Sequence, residues 1–334
     1  MQDGSAEIRY ASDLWGKNAI EVQEILKGEL GSSVKVAASG VSGDNQVVFA
    51  NVIADYDSSA SSGFGAVIGS KNLKAIAVRG NGKVTAADPE RHRELVKYLR
   101  ELKKIFVWHE IVTPNTKRKA CFGCINGCLR GVYMAKDGRK WKSVCHAPIF
   151  YQPRTEKYYG GPNDIHFYAG HLCDEYGLDT MVLEPLIDWL SRCYEAGVLS
   201  NENTGLPLSK IGSMEFIQSL VKKISLREGF GDILAQGIYG AADSVGGRAK
   251  ELIHDVFSGK EVTMYASYDP RTYITTGLLY AMDARRPAQL LHEISIILMR
   301  WFAWVNKTDH GYVTSDIIRE VAKCNGAIKI RTKS

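Results

Sequence analysis

The chain has 334 residues, of which 45% are hydrophobic and 24% charged, a composition typical of a globular protein with about two domains. The net charge of +5 is small and the basic residues are interspersed with acidic ones, which argues against a nucleic-acid-binding protein. The sequence has no apolar run long enough to span a membrane and no signal-peptide pattern in its first residues, so we expect a cytoplasmic protein.

The first 85 residues are predicted to form a mixed α/β region. Apolar residues at helical intervals predict a helix over residues 12–30, with Ser12 or Asp13 available as its N-cap. Apolar runs on either side of a small, polar segment predict two strands joined by a turn. The strands are expected at 34–38 and 46–53, and the turn at 40–45.

Residues 58–80 form a glycine-rich stretch in which small residues precede a short apolar segment, a Gly-Ser-Lys-Asn turn and a strand. A backbone without large side chains can approach a phosphate or a polar cofactor closely, and its N–H groups can point at an anion. The stretch lacks the Walker P-loop pattern and the glycine spacing of a dinucleotide site. A tight turn between packed elements explains the same residues, so both interpretations stay open.

Beyond residue 85 the pattern becomes mainly helical. Asp88 followed by Pro89 is a typical helix start, and apolar residues then recur at helical spacing in several segments. Aromatic residues, prolines and glycines predict irregular chain at 143–161. The predicted helices span 89–105, 182–196, 214–224, 233–244 and 288–304.

Three cysteines, Cys121, Cys124 and Cys128, occur at C-x2-C-x3-C spacing with glycines between them that permit a tight turn. Thiolates at this spacing can converge on one iron–sulfur cluster. A zinc ribbon would require two separate C-x2-C pairs and a redox dithiol only one, so the third cysteine favours iron and sulfur. The fourth ligand is not local, and seven cysteines, an odd number, favour metal ligation in a reducing compartment over disulfides. The remaining cysteines are Cys145, Cys173, Cys193 and Cys324.

Four stretches, in order along the chain, resemble the tungsten-containing aldehyde:ferredoxin oxidoreductases. Besides the three clustered cysteines, they include an Asp-x-x-Gly-Leu-Asp motif from Asp174 to Asp179. The other two are residues 63–76, GFGAVIGSKNLKAI, and residues 229–237, GFGDILAQG. Four matches in the family's order are far more specific than any one of them.

The resemblance implies a tungsten or molybdenum atom held by the dithiolenes of two pterins, beside a [4Fe-4S] cluster bound by the three clustered cysteines. In the family, the acidic motif hydrogen-bonds to a pterin, which assigns that role to Asp174 and Asp179. An acceptor-only carboxylate suits the N–H groups of a pterin edge, whereas a helix cap followed by a solvated turn is the alternative for these residues. The residues implied to pack against the pterins are Gly63, Gly65, Ala66, Gly69, Ser70, Lys71 and Asn72.

The implied fold is α+β, with a pterin-contacting α/β part at residues 1–85 and a largely helical domain at 86–334 that carries the cluster loop and the acidic motif. From the resemblance we expect the family's N-terminal sheet and C-terminal helical domain to be missing from this sequence. A second Asp-x-x-Gly-Leu motif, which carries the fourth cluster cysteine, is among the absent parts. We therefore expect an internal fragment or a truncated subunit.

Two stretches, residues 268–271 and 280–293, are more similar to the tungsten subunit of the ATP-independent benzoyl-CoA reductases than to the aldehyde-oxidising members. Where the aldehyde enzymes carry a carboxylate near the substrate, this chain has residues 145–151 without an acid. The implied substrate is therefore an aldehyde or an aromatic acyl-CoA.

In the benzoyl-CoA reductase branch a cysteine ligates the metal. Cys173 is the candidate because its neighbour Asp174 is expected at the cofactor, and Cys145 is the second choice. A small buried apolar residue is the alternative role for Cys173. Cys193 lies within an amphipathic helix and is expected in the core.

His109 and Glu110, ahead of the cluster loop, are the candidates for proton transfer. A histidine donates a proton near neutral pH, and a nearby carboxylate can restore it. A solvated pair at a helix end is the alternative, and His146 and His292 are further candidates.

The sequence thus predicts an oligomeric tungsten-pterin, iron–sulfur oxidoreductase that exchanges low-potential electrons with ferredoxin or an iron–sulfur electron-transfer subunit. The alternative is a non-catalytic protein that binds an iron–sulfur cluster or zinc through the three cysteines and serves electron transfer or structure.

Overall fold

The computed structural model describes residues 5–55, 58–61, 63–82, 85–103, 114–119, 131–143, 147, 149–253, 258–259 and 262–263. Residues 1–263 form one compact unit, and the domain boundary expected near residue 85 stays a prediction. Several predictions fall outside the described residues: the helix at 288–304, the cluster cysteines Cys121, Cys124 and Cys128, the pair His109 and Glu110, and the alternatives Cys145, His146, His292 and Cys324.

A four-stranded antiparallel sheet forms the first part of the fold, with strand order β3-β2-β1-β4. Ala37 in β1 pairs with Ala54 in β2 and with Ile76 in β4, which fixes the register of these three strands. The predicted strand at 34–38 is confirmed as β1. The strands are β1 (Lys35–Ser39), β2 (Val52–Ala54), β3 (Ser58–Ala60) and β4 (Ala75–Val78).

Helix α1 (Ala19–Leu30) begins later than the sequence predicts. The predicted caps belong to a separate 3-10 turn at Ser12–Leu14, and Gly16 has a φ of +78°, which interrupts a continuous helix. Asn18 is the N-cap instead, because its side-chain oxygen accepts a hydrogen bond from the Glu21 N–H at 2.7 Å. The helix packs on one face of the sheet through a small cluster of Val22, Val34, Val36 and Ala38.

The predicted strand at 46–53 exists only at its end, where β2 begins. A short helix, α2 (Val41–Asp44), replaces the predicted turn before it. Gln46 has a φ of +53°, which is incompatible with extended chain. The backbone of residues 47–51, the bridging segment, therefore makes hydrogen bonds to several other elements rather than to a neighbouring strand.

Helices dominate residues 149–253. The predicted helices at 182–196 and 214–224 are confirmed as α7 (Thr180–Glu195) and α9 (Met214–Leu226), whose apolar faces form much of the main core. Cys193 is fully buried there, as predicted. Within the described ranges, no helix combines the length and apolar character needed to cross a membrane. The other helices are α3 (Phe64–Ser70), α4 (Pro89–Lys103), α5 (Gln152–Tyr159), α6 (Ile165–Tyr176), α8 (Asn201–Thr204), α10 (Phe230–Leu234), α11 (Gly237–Val245) and α12 (Gly247–Glu251).

Three parts of the expected helical domain differ from the prediction. The helix predicted at 233–244 is split into α10 and α11, because Gly237 has a φ of +81°. Helix α5 lies in the stretch expected to be irregular, because Pro153 suits its first turn and Gly160, with a φ of +75°, ends it. An antiparallel three-stranded sheet also occurs in this part of the chain. Its strands are β5 (Thr116–Arg118), β6 (Gly131–Met134) and β7 (Lys140–Ser143), and a two-stranded ladder of β8 (Ser258–Gly259) and β9 (Val262–Thr263) follows α12.

An aromatic layer joins this second sheet to α6. Tyr133 of β6 stacks on Phe167 of α6 with ring centroids 4.4 Å apart, and its hydroxyl donates to Asp164 at 2.9 Å. Burial, together with that carboxylate, raises the pKa of Tyr133, so the phenol stays neutral. His166 lies beside Phe167 and is 2% exposed, and neither of its ring nitrogens has a hydrogen-bond partner among the described residues.

The buried His166 should make the protein less stable in acid. Burial lowers the pKa of His166, and the Asp164 and Glu156 carboxylates only partly oppose this effect. Below about pH 6.5 the unfolded chain binds a proton that the folded chain binds only at lower pH, so stability falls as the pH falls, by up to about 1.4 kcal/mol per pH unit. Urea unfolding between about pH 7 and pH 5 measures this slope.

Replacing His166 with leucine should remove this contribution to the slope, because no titrating group then remains at that position. The exposed His92 on α4 provides the control, since His92→Gln should keep the acid sensitivity. An unchanged slope in His166→Leu would show that other groups cause the loss of stability.

Candidate functional site

The glycine-rich motif forms α3, and its glycines pack directly on neighbouring backbone. Gly65 and Gly69 are buried. A Cβ atom at position 65 would lie 2.7 Å from the carbonyl oxygen of Asn51, and one at position 69 would overlap the carbonyl oxygen of Gly43. The glycines therefore lie between packed elements, as the alternative interpretation predicted, but in a helix rather than a tight turn, and contact of the motif with a cofactor stays a prediction.

The end of the glycine motif is open to solvent. Ser70, Lys71 and Asn72 are exposed, and Asn72 has a φ of +54°, which suits the tight turn into β4. Ala66 is half-buried, and Gly63 adopts a left-handed conformation (φ +80°) that starts α3. The terminal turn is thus open to a ligand, and so are the exposed side chains of Phe64 and Val67 on α3.

The acidic motif spans the end of α6 and the start of α7. Gly177 ends α6 in a left-handed conformation, with a φ of +77°. Asp179 is the N-cap of α7, where its carboxylate accepts a hydrogen bond from the Met181 N–H at 3.0 Å. The helix cap predicted as an alternative role is therefore confirmed for Asp179. Because Asp179 is only 2% exposed, it does not lie in a solvated turn. Asp174 is half-buried on the last turn of α6.

The bridging segment joins the two motifs. The Ala50 carbonyl accepts a hydrogen bond from the Gly65 N–H at 2.8 Å, and the Asn51 N–H donates to the Gly177 carbonyl at 2.7 Å. The Asp179 N–H donates to the Phe49 carbonyl at 3.2 Å. The glycine helix and the acidic turn therefore lie side by side, which is the arrangement that a shared ligand requires.

A buried ion pair anchors the chain on both sides of α3. The Lys74 ammonium lies 2.6 Å from a carboxylate oxygen of Asp44, and both side chains are almost fully buried. The ammonium also donates to the Lys17 carbonyl at 3.0 Å, while the same Asp44 oxygen accepts from the Gly16 N–H at 2.8 Å. Burial lowers the pKa of Lys74, and Asp44 opposes the shift. No sequence pattern distinguishes the buried Lys74 from the exposed Lys71.

A cleft of about 480 Å³ opens between α1, β7 and α6, next to the acidic motif. His171 and Trp141 stack in its wall, with ring centroids 4.3 Å apart and planes 7° from parallel. The indole N–H of Trp141 is buried and has no acceptor among the described residues. Carboxylates line the cleft from both sides, Glu21 and Glu24 on α1 and Asp174 and Glu175 on α6. Of these lining residues, only Asp174 was singled out by the sequence.

Cys173 lies in the main hydrophobic core and is fully buried. Burial raises the pKa of this thiol, and the Asp174 and Asp179 carboxylates act in the same direction, so the neutral thiol is favoured. The parts of the chain described here contain no group of three or more His, Cys, Asp or Glu side chains that could hold a metal ion. A metal-ligating role for Cys173 therefore stays a prediction.

Comparison with known families gives two overlapping matches. The N-terminal domain of aldehyde ferredoxin oxidoreductase matches residues 1–80, and domains 2 and 3 of the same family match residues 68–315. The tungsten-containing aldehyde ferredoxin oxidoreductase of Pyrococcus abyssi is 31% identical over 334 residues, covering 85% of this chain and 53% of that protein. The enzyme of the same name from Pyrococcus furiosus is 32% identical over 336 residues, with the same coverage.

A solved structure described as the active site complex BamBC of benzoyl coenzyme A reductase with 1,5-dienoyl-CoA also matches. Its TM-score is 0.66 at 26% identity, and the match covers 82% of this chain and 50% of that one. The chain thus spans about half the length of the relatives that it matches. With both family domains matched in order along the sequence, the chain belongs to the aldehyde ferredoxin oxidoreductase family.

Proposed function

We propose that this chain is part of a tungsten-pterin, [4Fe-4S] oxidoreductase that exchanges low-potential electrons with ferredoxin or with an iron–sulfur partner subunit. Family membership supports an oxidoreductase, and the names of the curated relatives support tungsten. The observation that carries the proposal is the junction at the bridging segment, where the glycine helix and the acidic turn are hydrogen-bonded to consecutive residues.

The chemistry of the cleft beside this junction fits a pterin. A pterin edge presents several N–H donors, and the carboxylates of Glu21, Glu24 and Asp174 are acceptors that line the cleft. Asp179 is occupied in capping α7, so it holds the turn in place, while Asp174 reaches the cleft. When bound, the metal–pterin group accepts or supplies the electrons of the reaction, and the cluster passes them one at a time.

The cysteines of the cluster loop, Cys121, Cys124 and Cys128, are proposed to hold the iron–sulfur cluster. Their C-x2-C-x3-C spacing in the sequence supports this role. His109 and Glu110, which precede the loop, are proposed for proton transfer on the same basis.

Two substrate classes are supported by different observations. An aldehyde is favoured by the names of the curated relatives, which are aldehyde ferredoxin oxidoreductases. An aromatic acyl-CoA is favoured by the structural match to benzoyl coenzyme A reductase with a bound dienoyl-CoA. Anaerobic assays with both classes, using reduced or oxidised viologen dyes as electron partners, separate the two.

Anaerobic production of the protein followed by analysis of its metals tests the proposal. Iron and sulfide at about four each, together with tungsten and a pterin, would support the oxidoreductase. Iron without tungsten or pterin, or zinc alone, would instead support the non-catalytic electron-transfer or structural protein. Growth medium with molybdate in place of tungstate distinguishes the two metals.

Replacing Cys173 with alanine should leave the iron content unchanged and alter the tungsten spectrum, if this thiol binds the metal. Its burial in the core means that the variant should lose about 1 kcal/mol of stability in addition. Cys193→Ala is the matched control, since Cys193 is equally buried on α7. Electron paramagnetic resonance of the tungsten provides the measurement. A tungsten signal identical in both variants and the native protein would exclude Cys173 as a ligand.

A further inference from the structure

We infer that Arg227 is a positioning residue that fixes the start of the bridging segment on α9 and α10, and thereby sets the positions of the glycine helix and the acidic turn. This role rests on the proposed function, which places those two elements at a cofactor. It also explains residues 229–237, a stretch that resembles the family but does not line the cleft.

Arg227 ends α9 in a conformation that glycine adopts more readily. Its φ of +54° and ψ of +41° are left-handed, a region that is costly for a residue with a Cβ atom. Glycine is the commonest residue at this position of a helix end, so the backbone alone does not favour an arginine here. The reason for an arginine therefore lies in the contacts of its side chain.

The guanidinium of Arg227 binds two successive carbonyls just before the bridging segment. Its Nε donates to the Asn45 carbonyl at 2.7 Å, and its Nη2 donates to the Gln46 carbonyl at 2.9 Å. Its Nη1 donates to the Asp232 carboxylate at 2.7 Å. The arginine side chain is 30% exposed and the carboxylate 52%, so the ion pair itself adds little stability, and its main effect is to orient the guanidinium.

The family-like stretch places Asp232 beside this guanidinium. A Cβ atom at Gly231 would lie 2.2 Å from the Lys223 carbonyl oxygen, so the start of α10 can pack on the end of α9 only with glycine at this position. Asp232 follows directly and comes within hydrogen-bond distance of Arg227.

Three further hydrogen bonds hold the same part of the chain on α9 and α10. The buried Ser42 hydroxyl donates to the buried Ser225 hydroxyl at 2.8 Å, and the Asn45 side-chain amide donates to the Ser225 carbonyl at 2.7 Å. The Val48 N–H donates to the Ala235 carbonyl at 3.1 Å. The chain then continues into the backbone contacts that join the glycine helix to the acidic turn. Loss of the guanidinium should therefore loosen the bridging segment before the rest of the core.

Hydrogen–deuterium exchange of the full chain, read by mass spectrometry, tests this role without the cofactor. In Arg227→Gly, exchange of residues 47–51 should become about tenfold faster relative to residues 189–195 of α7, a reference that removes changes in global stability. If Arg227 only ended α9, the glycine variant would exchange as slowly as the native protein, because glycine suits that backbone better. Arg227→Lys should give an intermediate rate, since lysine keeps the charge but not the planar fork, and it decides the question if the glycine variant does not fold.

Arg154→Gln is the matched control. Arg154 also binds two backbone carbonyls, those of Phe150 and Glu184, and the carboxylate of Asp188, but it joins α5 to α7. Its loss should not speed the exchange of residues 47–51 relative to α7.

The tungsten spectrum of protein isolated anaerobically gives a second readout. It should change in Arg227→Gly and stay native in Arg154→Gln. An unaltered spectrum in a variant with faster exchange would overturn the link between Arg227 and the cofactor site, and native exchange in Arg227→Gly and Arg227→Lys would overturn the positioning role itself. A native protein without tungsten would overturn the proposed function, whereas the exchange of residues 47–51 would still decide what Arg227 does.

Discussion

Alanine at position 69 is expected to destabilise the folded chain by about 3 kcal/mol, the upper end of the usual cost of overpacking. The added Cβ atom would overlap the carbonyl oxygen of Gly43, a backbone atom that cannot rotate away as a flexible side chain can. Helices α2 and α3 must therefore separate, and the bridging segment that is bonded to Gly65 moves with them. In thermal unfolding, this loss corresponds to a fall in Tm of roughly 6–12 °C.

The glycine in α1 provides the control for this experiment. A Cβ atom at Gly28 would have no neighbour within 4 Å, and alanine is the better helix former, so Gly28→Ala should gain about 0.5–1 kcal/mol. The free energy of unfolding should fall in Gly69→Ala and rise in Gly28→Ala, which distinguishes a steric clash from a general effect of alanine. If Gly69→Ala melts at the native temperature, α2 and α3 do not pack as closely as described.

The helices of the main core could be predicted because their signals are local. Apolar residues at helical spacing gave α7 and α9 nearly to their observed ends. The start of α1 was harder, because Ser12 and Asn18 are both acceptable N-caps and only Gly16 decides between them. The bridging segment could not be predicted, because its apolar composition suits a strand while its hydrogen bonds go to distant elements.

The role of the glycines depends on contacts that no local pattern reveals. The atoms that exclude a side chain at Gly65 and Gly69 belong to Asn51 and Gly43, far from them in sequence. Glycine is required both where a backbone lies close to a cofactor and where it lies close to another backbone. The sequence alone therefore cannot distinguish the two roles. Both kinds of contact are possible in this motif, because the glycines of α3 pack on backbone while the terminal turn after α3 is exposed.

The cleft was missed for a similar reason, because it combines residues from three separate elements. Its acidic residue Asp174 was found only through a family motif. Trp141 did carry a local signal, since its position between Lys140 and Lys142 is the alternation expected of a strand with one buried face. That alternation predicts burial of the indole, but the absence of an acceptor for its N–H appears only when the neighbouring elements are in place.

Cys124→Ala is expected to abolish the iron–sulfur cluster completely. Three thiolates within residues 121–128 supply most of the ligands, so the loss of the middle one leaves two thiolates and the distant fourth ligand, one fewer than the four irons require. The broad charge-transfer absorbance of a [4Fe-4S] cluster, at roughly 400 nm, should therefore be absent from the anaerobically reconstituted variant. Iron content should fall in parallel.

Cys193→Ala is the control that shows whether removal of any cysteine, and not of a cluster ligand in particular, causes the loss of the absorbance. Cys193 is fully buried on α7 among apolar residues, so its removal creates a small cavity and lowers stability without removing a proposed ligand. The control should keep the absorbance and the iron that Cys124→Ala loses. If Cys124→Ala also keeps them, the clustered cysteines do not bind the cluster, and the electron path proposed for this protein must run through other residues.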